Sequence, residues 1–409
     1  MIRYALSQAT ISADAPVILS ATSVRLSGAL ALPGGGTARL FLGIGADPDA
    51  LSWSVLDEAA AAGPFAKTAT GLAMETVYHF AFRAETDGGT VATPVATFTT
   101  PSNRANVVAS GPGAERYRVG DDIVLRIPAD ATLSVKAGPD GAVPKLRVLL
   151  VGGGGAGGWS YAGGGGGGGF VERSDFELPV GDYLVSVGAG GVKATSSQAP
   201  GRGGDTAIWR WTSATVAETN LVACGGGAGG SGTTYQQAGF SGGCGGGGAM
   251  WGGGGAGSQG GAGGGGSTAN GGNAAGGGGG AGARGQDGDI SAGVKTDGVW
   301  TVPCRSGAGG DGLPSDITGE EVWYAGGGGG GAGGGTTPTG GAGGRGGGGT
   351  GPVVASNDPT GMDGEDGLGG GGAGGGNKDL TRAGGRGGSG IAIIRFADIH
   401  PRATIIVVR

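Results

Sequence analysis

The first hundred residues alternate apolar and polar side chains over short stretches that are separated by turn residues. The stretches are PVILSATSVRLSGAL (16–30), TARLFLGIG (37–45), METVYHFAFRAE (74–85) and TPVATFTTP (93–101), with LPGGGT and ETDGGT between them. Alternation with a period of two predicts strands that bury one face, and glycine and proline between them predict turns. We therefore expect a small antiparallel β-sandwich over 17–101, preceded by an N-terminal strand or attachment segment at 1–16.

The alternating pattern then continues into a region dominated by glycine. Residues 102–151 are expected to form a connector and the leading strands of a second domain. The expected strands lie in ERYRVGDDIVLRIPADATLSVKAG and KLRVLLV. From Gly152 to Gly390, 94 of 239 residues are glycine. Alternating stretches interrupt the glycine at FVERSDFELPVGDYLVSVGAGG (170–191), DTAIWRW (205–211) and TNLVACGGG (219–227). The pattern predicts a glycine-rich domain over 152–396 and an apolar strand over 397–409.

This glycine content has several structural interpretations. Collagen is excluded because there is no strict G-X-Y register and proline is sparse. A flexible linker is disfavoured because the interruptions form strands and carry six of the seven tryptophans. Ordered glycine must satisfy its N–H and C=O groups through neighbours, and polyglycine-II helices, with three residues per turn, can bond laterally in a bundle. Runs of suitable length recur at 163–169, 225–230, 245–255, 260–266, 276–282, 326–335, 340–349 and 369–376.

Four motifs in a fixed order resemble one known family. RVLLVGGGGAGG, GDYLVSVGAGG, SDITGEEVWYAGGGGGGAGG and GGSGIAIIRF are similar to the glycine-rich domain of phage tail-fibre adhesins and bacterial surface proteins. A more distant likeness is to the glycine-rich ectodomain of the anaplastic lymphoma kinase receptors. The resemblance covers about residues 115–396 and implies a β-framework that carries a polyglycine-II bundle, with variable loops for recognition and no catalysis. The tail ADIHPRATIIVVR departs from this pattern, because it follows the usual closing strand.

A second resemblance concerns the first domain. GLAMETVYHFAFRAETDGG and VATFTTP look like the end of a fibronectin type III domain, with Tyr78 in its usual core strand. The resemblance implies a spacer or a binding module. The predicted fold class is thus all-β plus polyglycine-II, a small antiparallel β-sandwich followed by a domain of strands and bundled polyglycine-II helices.

Charge and composition narrow the function further. The net charge is −6 and basic residues are scattered, which argues against a nucleic-acid partner. No run of eighteen apolar residues is present, so we expect no membrane insertion, and residues 1–16 show no secretory signal. With only two histidines, a zinc site or a histidine-based catalytic site is not expected. Packed free thiols are favoured for Cys224, Cys244 and Cys304 over a Cys224–Cys244 disulfide.

The run from Gly152 to Gly157 matches the G-x-G-x-x-G spacing of a dinucleotide loop, with Glu172 near the position of the ribose-binding acid. That fingerprint requires a helix that begins within the motif. WSYAGGGGGGG follows instead and cannot propagate a helix. We therefore predict no cofactor and no enzymatic activity.

Aromatic residues beside the glycine runs are the candidates for partner contact, because exposed aromatic side chains dominate many binding sites. These residues are Trp159, Tyr161, Tyr235, Phe240, Met250, Trp251 and Trp300. The alternative is that they pack on the bundle. Packing is the prediction for Trp209 and Trp211, which share one strand face, and for Trp323 and Tyr324, which belong to a family motif.

Two further segments carry candidate sites. NDPTGMDGEDG places Asp358, Asp363 and Asp366 among glycines, where a calcium site is conceivable but a solvated acidic loop is favoured. The C-terminal residues Ile405, Ile406, Val407 and Val408 are strongly β-prone. They are expected to pair within the chain or to add a strand to a neighbouring subunit.

These observations predict a non-enzymatic structural and adhesive protein. The first hypothesis is a phage tail-fibre or tail-tip component on the virion surface that displays loops to a host cell-surface protein or glycan. The alternative is an extracellular or cell-surface filament subunit joined by terminal strands. Either protein would contact other subunits and form a homo-oligomer. An ice-binding protein is disfavoured because no regular threonine-rich face can be traced.

Overall fold

A computed structural model describes residues 8–20, 22–100, 106–137, 143–195, 198–213, 216–232, 237–269, 272–290, 294–296, 299–301, 303–331, 333, 337–352, 360–376 and 383–397. These residues form strands and connecting segments and contain no α-helix, so the prediction of an all-β protein is confirmed. The chain divides into two compact units. The first unit comprises 1–106 and 136–143, and the second comprises 107–135 and 144–409.

Nine strands build the first unit. They are β1 (Thr10–Ala13), β2 (Val17–Ser20), β3 (Ser23–Ala31), β4 (Ala38–Gly45), β5 (Ser52–Ala60), β6 (Gly63–Thr70), β7 (Val77–Thr86), β8 (Gly89–Ala92) and β9 (Ala96–Thr99). In one antiparallel sheet, β1, β2 and β6 all pair with β3. In the other, the order is β5-β4-β7-β8, and β9 also pairs with β7.

The two sheets of the first unit share an apolar core. Val24 and Leu26 from β3 pack in one cluster with Leu42, Phe80 and Phe82 of the other sheet. Each of these side chains is at most 3% exposed. Apolar residues therefore alternate with polar ones for the expected reason: one face of each sheet packs against the other sheet.

The turn before β7 is closed by a tyrosine. The hydroxyl of Tyr78, near the start of β7, accepts a hydrogen bond of 2.9 Å from the backbone amide of Ala73. The Tyr78 ring stacks on Phe98 of β9, with 5.7 Å between the ring centroids. One side chain thus joins the turn before β7 to the core of the sandwich.

Nineteen strands lie in the described parts of the remaining chain. The longer ones are β10 (Asn106–Ser110), β11 (Glu115–Val119), β12 (Asp122–Ile127), β13 (Ala131–Lys136), β14 (Leu146–Val151), β15 (Phe170–Phe176), β16 (Gly181–Ser186), β17 (Thr206–Ser213), β18 (Val216–Ala223) and β28 (Ile391–Ala397). The short ones are β19 (Ser267–Ala269), β20 (Gly272–Ala274), β21 (Asp289–Ile290), β22 (Val294–Thr296), β23 (Val299–Thr301), β24 (Pro303–Arg305), β25 (Leu313–Ser315), β26 (Val322–Tyr324) and β27 (Thr337–Thr339).

Two five-stranded sheets organise the second unit. One has the order β10-β13-β16-β17-β18, and the other β11-β12-β28-β14-β15. The last described strand, β28, therefore lies at the centre of its sheet, antiparallel to both β12 and β14. Its residues Ile391, Ile393 and Ile394 are at most 1% exposed.

The glycine runs leave these sheets and return to them without becoming strands or helices. Polyglycine-II helices, predicted from the sequence, are not among the elements identified in the described residues. The runs are nevertheless bonded and buried: the glycines of 152–158 and 163–169 are all buried, and their amides donate to carbonyls of other runs. A flexible linker would have its backbone in water, so the linker interpretation is excluded for these runs.

Trp209 of β17 was predicted to pack. It is half-buried and follows Ala207 and Ile208, which are both fully buried. The indole N–H of Trp209 donates to the hydroxyl of Ser186 at 2.9 Å. The side chain of Trp211 lies outside the described residues.

Candidate functional site

The turn at 159–162 lies at the far end of a long glycine excursion. The run 152–158 leaves β14 and the run 163–169 returns to β15. Three hydrogen bonds join them, from the amides of Gly152, Gly155 and Gly158 to the carbonyls of Gly169, Gly166 and Gly163, at 3.0, 2.8 and 3.0 Å. The runs are therefore antiparallel, and the turn lies away from the sheets. We call this end of the glycine runs the distal end.

Two other turns reach the distal end. The amide of Gly163 bonds the carbonyl of Gly230 at 2.9 Å, and the amide of Gly230 bonds the carbonyl of Gly247 at 2.8 Å. The amide of Ala249 then bonds the carbonyl of Gln237 at 2.7 Å. Residues 159–162, 231–232, 237–238 and 250–251 follow or join these bonded residues, so the tertiary structure brings these described residues together.

The aromatic residues occur at this end because the interior has no room for them. A Cβ atom placed on Gly163 would meet the carbonyl oxygen of Gly247, and one placed on Gly230 would meet that of Gln237. Only a hydrogen atom fits where backbones approach this closely. Large side chains are consequently confined to the turns and to the outside of the glycine runs.

The first turn is tightly held. Its residues Ser160 and Tyr161 have positive φ values of 55° and 45°. The hydroxyl of Ser231 accepts the amide of Trp159 at 3.0 Å, and the amide of Gly232 donates to the carbonyl of Ser160 at 2.9 Å. Trp159 and Tyr161 are half-buried, whereas the Ser160 hydroxyl is buried with no hydrogen-bond partner.

The turn at 250–251 presents the most exposed indole in the described chain. Trp251 is 67% exposed, and its neighbour Met250 is half-buried with a φ of 37°. A non-glycine residue in this left-handed region costs backbone energy, which the surrounding bonds must offset. The amide of Gly252 bonds back to the carbonyl of Ala249 at 2.5 Å and closes the turn.

A family model described as a glycine-rich domain matches residues 133–397 of this chain. The chain belongs to this glycine-rich domain family. The match starts in β13 and ends with β28, so both sheets and all the glycine runs contribute to it. A search of curated proteins finds no match to the chain.

Among the other predicted contact residues of the glycine-rich domain, the structure describes Phe240 in full. Phe240 does not lie in a turn, because its amide and carbonyl bond the runs at Ala228 and Gly246, both at 2.9 Å. Trp300 lies in β23 opposite Lys295, and its side chain is outside the described residues. Tyr235 lies in 233–236 and is likewise outside them, as are the terminal residues Ile405, Ile406, Val407 and Val408.

The acidic loop of the glycine-rich domain is engaged with basic side chains. Asp366 forms two hydrogen bonds with the Arg386 guanidinium, at 2.7 and 2.8 Å. These bonds hold the pKa of Asp366 below its ordinary value. Asp363 accepts the amide of Arg386 at 3.0 Å and lies 3.0 Å from the Lys193 ammonium. The two carboxylates thus join the run 360–366 to the chain that leads into β28.

A cation site is not assembled from the described part of this loop. Among the described residues, no group of three or more His, Cys, Asp or Glu side chains is placed to hold a metal ion. Asp358, the third predicted ligand, lies outside those residues.

The three cysteines of the glycine-rich domain are free thiols. Cys244 is fully buried and donates to the carbonyl of Gly168 at 3.2 Å, and burial raises the pKa of its thiol to about 12. A thiol with so high a pKa is a poor nucleophile at neutral pH. Cys304 is also buried, and its pKa is raised for the same reason, whereas Cys224 is half-buried.

The dinucleotide motif also has a structural explanation. Gly152, Gly154 and Gly157 are buried against other backbone segments, and no helix follows them. Glu172 accepts a hydrogen bond of 2.7 Å from Arg147, which also bonds Asp316 at 2.6 Å. Arg147 of β14 thus connects Glu172 of β15 to Asp316 in the segment after β25. In the described chain, no helix is long and apolar enough to cross a membrane.

Proposed function

We propose that the glycine runs are polyglycine-II rods and that the chain is a non-enzymatic adhesive protein. The support for rods is a three-residue period in the hydrogen bonds. Residues 152, 155 and 158 donate to the run 163–169, residues 153 and 156 to Gly204 and Gly201, and residues 154 and 157 to Gly388 and Gly385. Three residues per turn is the period of the polyglycine-II helix, and it directs successive amides to three neighbours in turn.

The carbonyl groups of the run 152–158 show the same three-residue period as its amides. The carbonyls of Gly153 and Ala156 accept from Gly226 and Gly229, and those of Gly155 and Gly158 accept from Gly372 and Gly375. The carbonyl of Gly154 accepts from Gly191. The run 152–158 therefore bonds six neighbouring segments. Such a lattice is stiff, because each rod is held from all sides and few torsions are free.

The adhesive role rests on the distal end. A rod of seven residues is about 20 Å long at the polyglycine-II rise of about 3.1 Å per residue. The turns with Trp159, Tyr161, Met250 and Trp251 are thereby held well away from the sheets. A rigid support with aromatic turns at its tip is the arrangement of a recognition surface, since little conformational entropy is lost on binding. We assign this role to a phage tail-fibre or tail-tip component whose partner lies on a host cell surface.

The first unit fits the role of a spacer of the fibronectin type III type. Two antiparallel sheets surround its core, and the Tyr78 hydroxyl bonds the backbone five residues upstream. This bond is a tyrosine corner, which is typical of immunoglobulin-like sandwiches near the start of the strand that carries the tyrosine.

Turn replacement tests the adhesive role. Exchanging 159–162 or 249–251 for glycine–serine turns should abolish binding to host cells and leave the melting temperature of the protein nearly unchanged. A matched control replaces Asp87 and Gly88 in the first unit, between β7 and β8. Unaltered cell binding by both distal variants would contradict the proposal.

A filament subunit is the alternative function, favoured by the apolar edge strand β2. Its residues Val17, Ile18 and Leu19 are 54%, 38% and 49% exposed, which is unusual for an unprotected edge. Electron microscopy separates the two functions. Isolated particles that bind cells support an adhesin. Spontaneous fibres that disappear on deletion of 403–409 support a filament.

A further inference from the structure

The glycine run 252–258 lies at the surface of the glycine-rich domain. Its residues Gly253, Gly254, Ala256 and Ser258 are exposed, whereas every residue of the run 152–158 is buried. The hydrogen bonds of 252–258 join it to three neighbouring segments, 239–242, 242–249 and 263–266. The buried run bonds six segments, so we call 252–258 the edge rod.

The bonds of the edge rod have the same three-residue period as those of the buried run. One set of positions is 252, 255 and 258, whose amides donate to the segment 242–249. A second set is 253 and 256, whose carbonyls accept the amides of Gly239 and Gly242, at 2.9 and 3.1 Å. The third set, Gly254 and Gly257, is left for a further neighbour.

Gly254 and Gly257 present free backbone groups. Neither their amides nor their carbonyls have a hydrogen-bond partner among the described residues. Because the two glycines are three residues apart, these groups lie in one row along the rod, about 9 Å apart at the polyglycine-II rise. A row of free N–H and C=O groups is also what the edge strand of a sheet presents, and it acts as a template for another segment of backbone.

Side chains do not protect this row. Ala256 contributes only a methyl group, and a Cβ atom on Gly253 would meet no heavy atom within 4 Å. Residues 219–283 contain no Asp, Glu, Lys, Arg or His. Other outer segments of the bundle do carry exposed charges, at Lys193, Arg202, Arg345 and Asp363. The edge rod therefore lacks the charges that commonly keep exposed backbone edges from pairing.

We propose that the edge rod is a self-association surface, on which the edge rod of a second copy of this chain binds through backbone hydrogen bonds. The proposal rests on the rod assignment made above and does not depend on the adhesive function. A second copy fits because the row is self-complementary, with donors and acceptors at the same spacing in both copies. A two-fold axis would make the two rods antiparallel, as 152–158 and 163–169 are within one chain.

The contact should be weak between two isolated copies. A rod of seven residues is about 20 Å long, so the contact buries much less than the roughly 1,600 Å² of a standard protein interface. Charge does not oppose it, because the nearest charged run in the bonding order begins beyond 260–266. There Asp287 accepts the amide of Gly265 at 2.6 Å and is paired with Arg284. We expect dimers at high protein concentration, and stronger pairing where an assembly already holds copies together.

The test measures association of the full-length protein as a function of its concentration. Sedimentation velocity should show monomers in dilute solution and dimers in concentrated solution. Hydrogen exchange locates the contact. Exchange in 252–258 should slow in the concentrated sample, because the amides of Gly254 and Gly257 gain partners, whereas 152–158 should exchange slowly in both samples.

Gly253→Lys provides the site-specific arm of the test. It adds a long charged side chain to the edge rod without a steric clash, because the space around Gly253 is open and its φ is not in the left-handed region. The association constant should fall by about tenfold or more, since two like charges then meet. Ala342→Lys is the matched control, because Ala342 is exposed on another outer run. It should associate as the unaltered protein does, and both variants should melt normally.

Three results would overturn the proposal: monomers at every concentration, association that Gly253→Lys leaves unchanged, or exchange in 252–258 that is slow even in dilute solution. The last result would mean that another segment of the same chain already covers the edge rod. Slow exchange of 152–158 alongside any of them leaves the rod assignment standing. Fast exchange of 152–158 would remove the rod assignment itself, and the proposal with it.

Discussion

At the residue scale, two glycines in similar runs differ sharply in how much space surrounds them. Gly165 is buried, and a Cβ atom there would meet the carbonyl oxygen of Gly155 in the adjacent run. Gly253 has no heavy atom within 4 Å of the position of such a Cβ atom, and its φ is not in the left-handed region. The same chemical change therefore has opposite consequences at two positions of similar sequence.

Gly165→Ala should destabilise the second unit by about 2 kcal/mol or more, because the methyl group forces two bonded backbones apart. Gly253→Ala should change the free energy of unfolding by less than about 1 kcal/mol, with a small gain from the lower entropy of the unfolded chain. Urea unfolding of the two variants measures the difference. Equal stability of both variants would show that backbone proximity does not select glycine here.

The Asp366–Arg386 pair predicts a pH dependence. The pKa of Asp366 is lowered in the folded state, chiefly by its hydrogen bonds to Arg386. The pair therefore contributes its full stability above the unfolded-state pKa of about 4, and that stability is lost as the pH falls through the lower folded-state value. We expect Asp366→Asn to flatten the acid limb of the stability curve of the second unit. Curves of the same slope for both proteins would contradict this role.

Thiol reactivity checks the burial of the cysteines. In the native protein at neutral pH, an alkylating reagent should modify Cys224 slowly and leave Cys244 and Cys304 unmodified, because both are buried and burial raises the pKa of each. In denaturant all three should react. Mass spectrometry of the peptides gives the modified fraction, and rapid labelling of Cys244 in the native protein would contradict its burial.

At the element scale, β28 closes the framework. It pairs with β12 through Ile393 opposite Arg126, and with β14 through Ile393 opposite Leu149. β12 and β14 are close in sequence, whereas β28 follows the whole run of glycine-rich segments, so the central strand of this sheet is also the last described strand to be synthesised. The second unit is complete only when these residues are available.

Truncation after Gly390 should therefore unfold the second unit while the first unit stays folded. Loss of the central strand exposes the apolar faces of β12 and β14 and leaves their inner backbone groups unpaired. A chain truncated after Ala397 is the matched control and should retain both transitions in calorimetry. A normal transition of the second unit in the shorter chain would show that β28 is dispensable.

At the scale of the whole molecule, the chain combines two kinds of architecture with different sources of stability. The sandwich of the first unit depends on apolar side chains such as Phe80 and Phe82, which are fully buried. The glycine runs have few such side chains and depend on backbone hydrogen bonds between runs. Hydrogen exchange of the backbone amides tests whether hydrogen bonds between the glycine runs stabilise the second unit.

Amides of 152–158 and 163–169 should exchange slowly, at rates comparable with those of β14 and β15, although no strand or helix is assigned to them. Their N–H groups are buried and bonded to carbonyls of other runs. Hydrogen–deuterium exchange with peptide-level mass spectrometry measures this protection. Complete exchange within seconds would instead indicate a solvated linker.

Several particular residues were predictable from the sequence because their signals are local. Tyr324 was expected to be structural and is 2% exposed in the core around β28. The all-β class followed from alternation, and the ordering of the glycine runs followed from their interruption by strands. Alternation did not predict the partner of Trp209, whose half-buried indole donates to the hydroxyl of Ser186 in the adjacent strand β16.

The sequence by itself determined the all-β class and the presence of a glycine-rich domain. These features follow from period-two alternation and from the sizes of the side chains, and both properties can be read directly from the sequence. Only the tertiary structure decided that β28 is a central strand, that Asp366 pairs with Arg386, and that the turns at 159–162 and 250–251 meet at the distal end. The glycine runs are nearly identical in sequence, so the sequence of one run does not specify which other runs it bonds. The partners are set by the hydrogen-bond register of the whole set of runs.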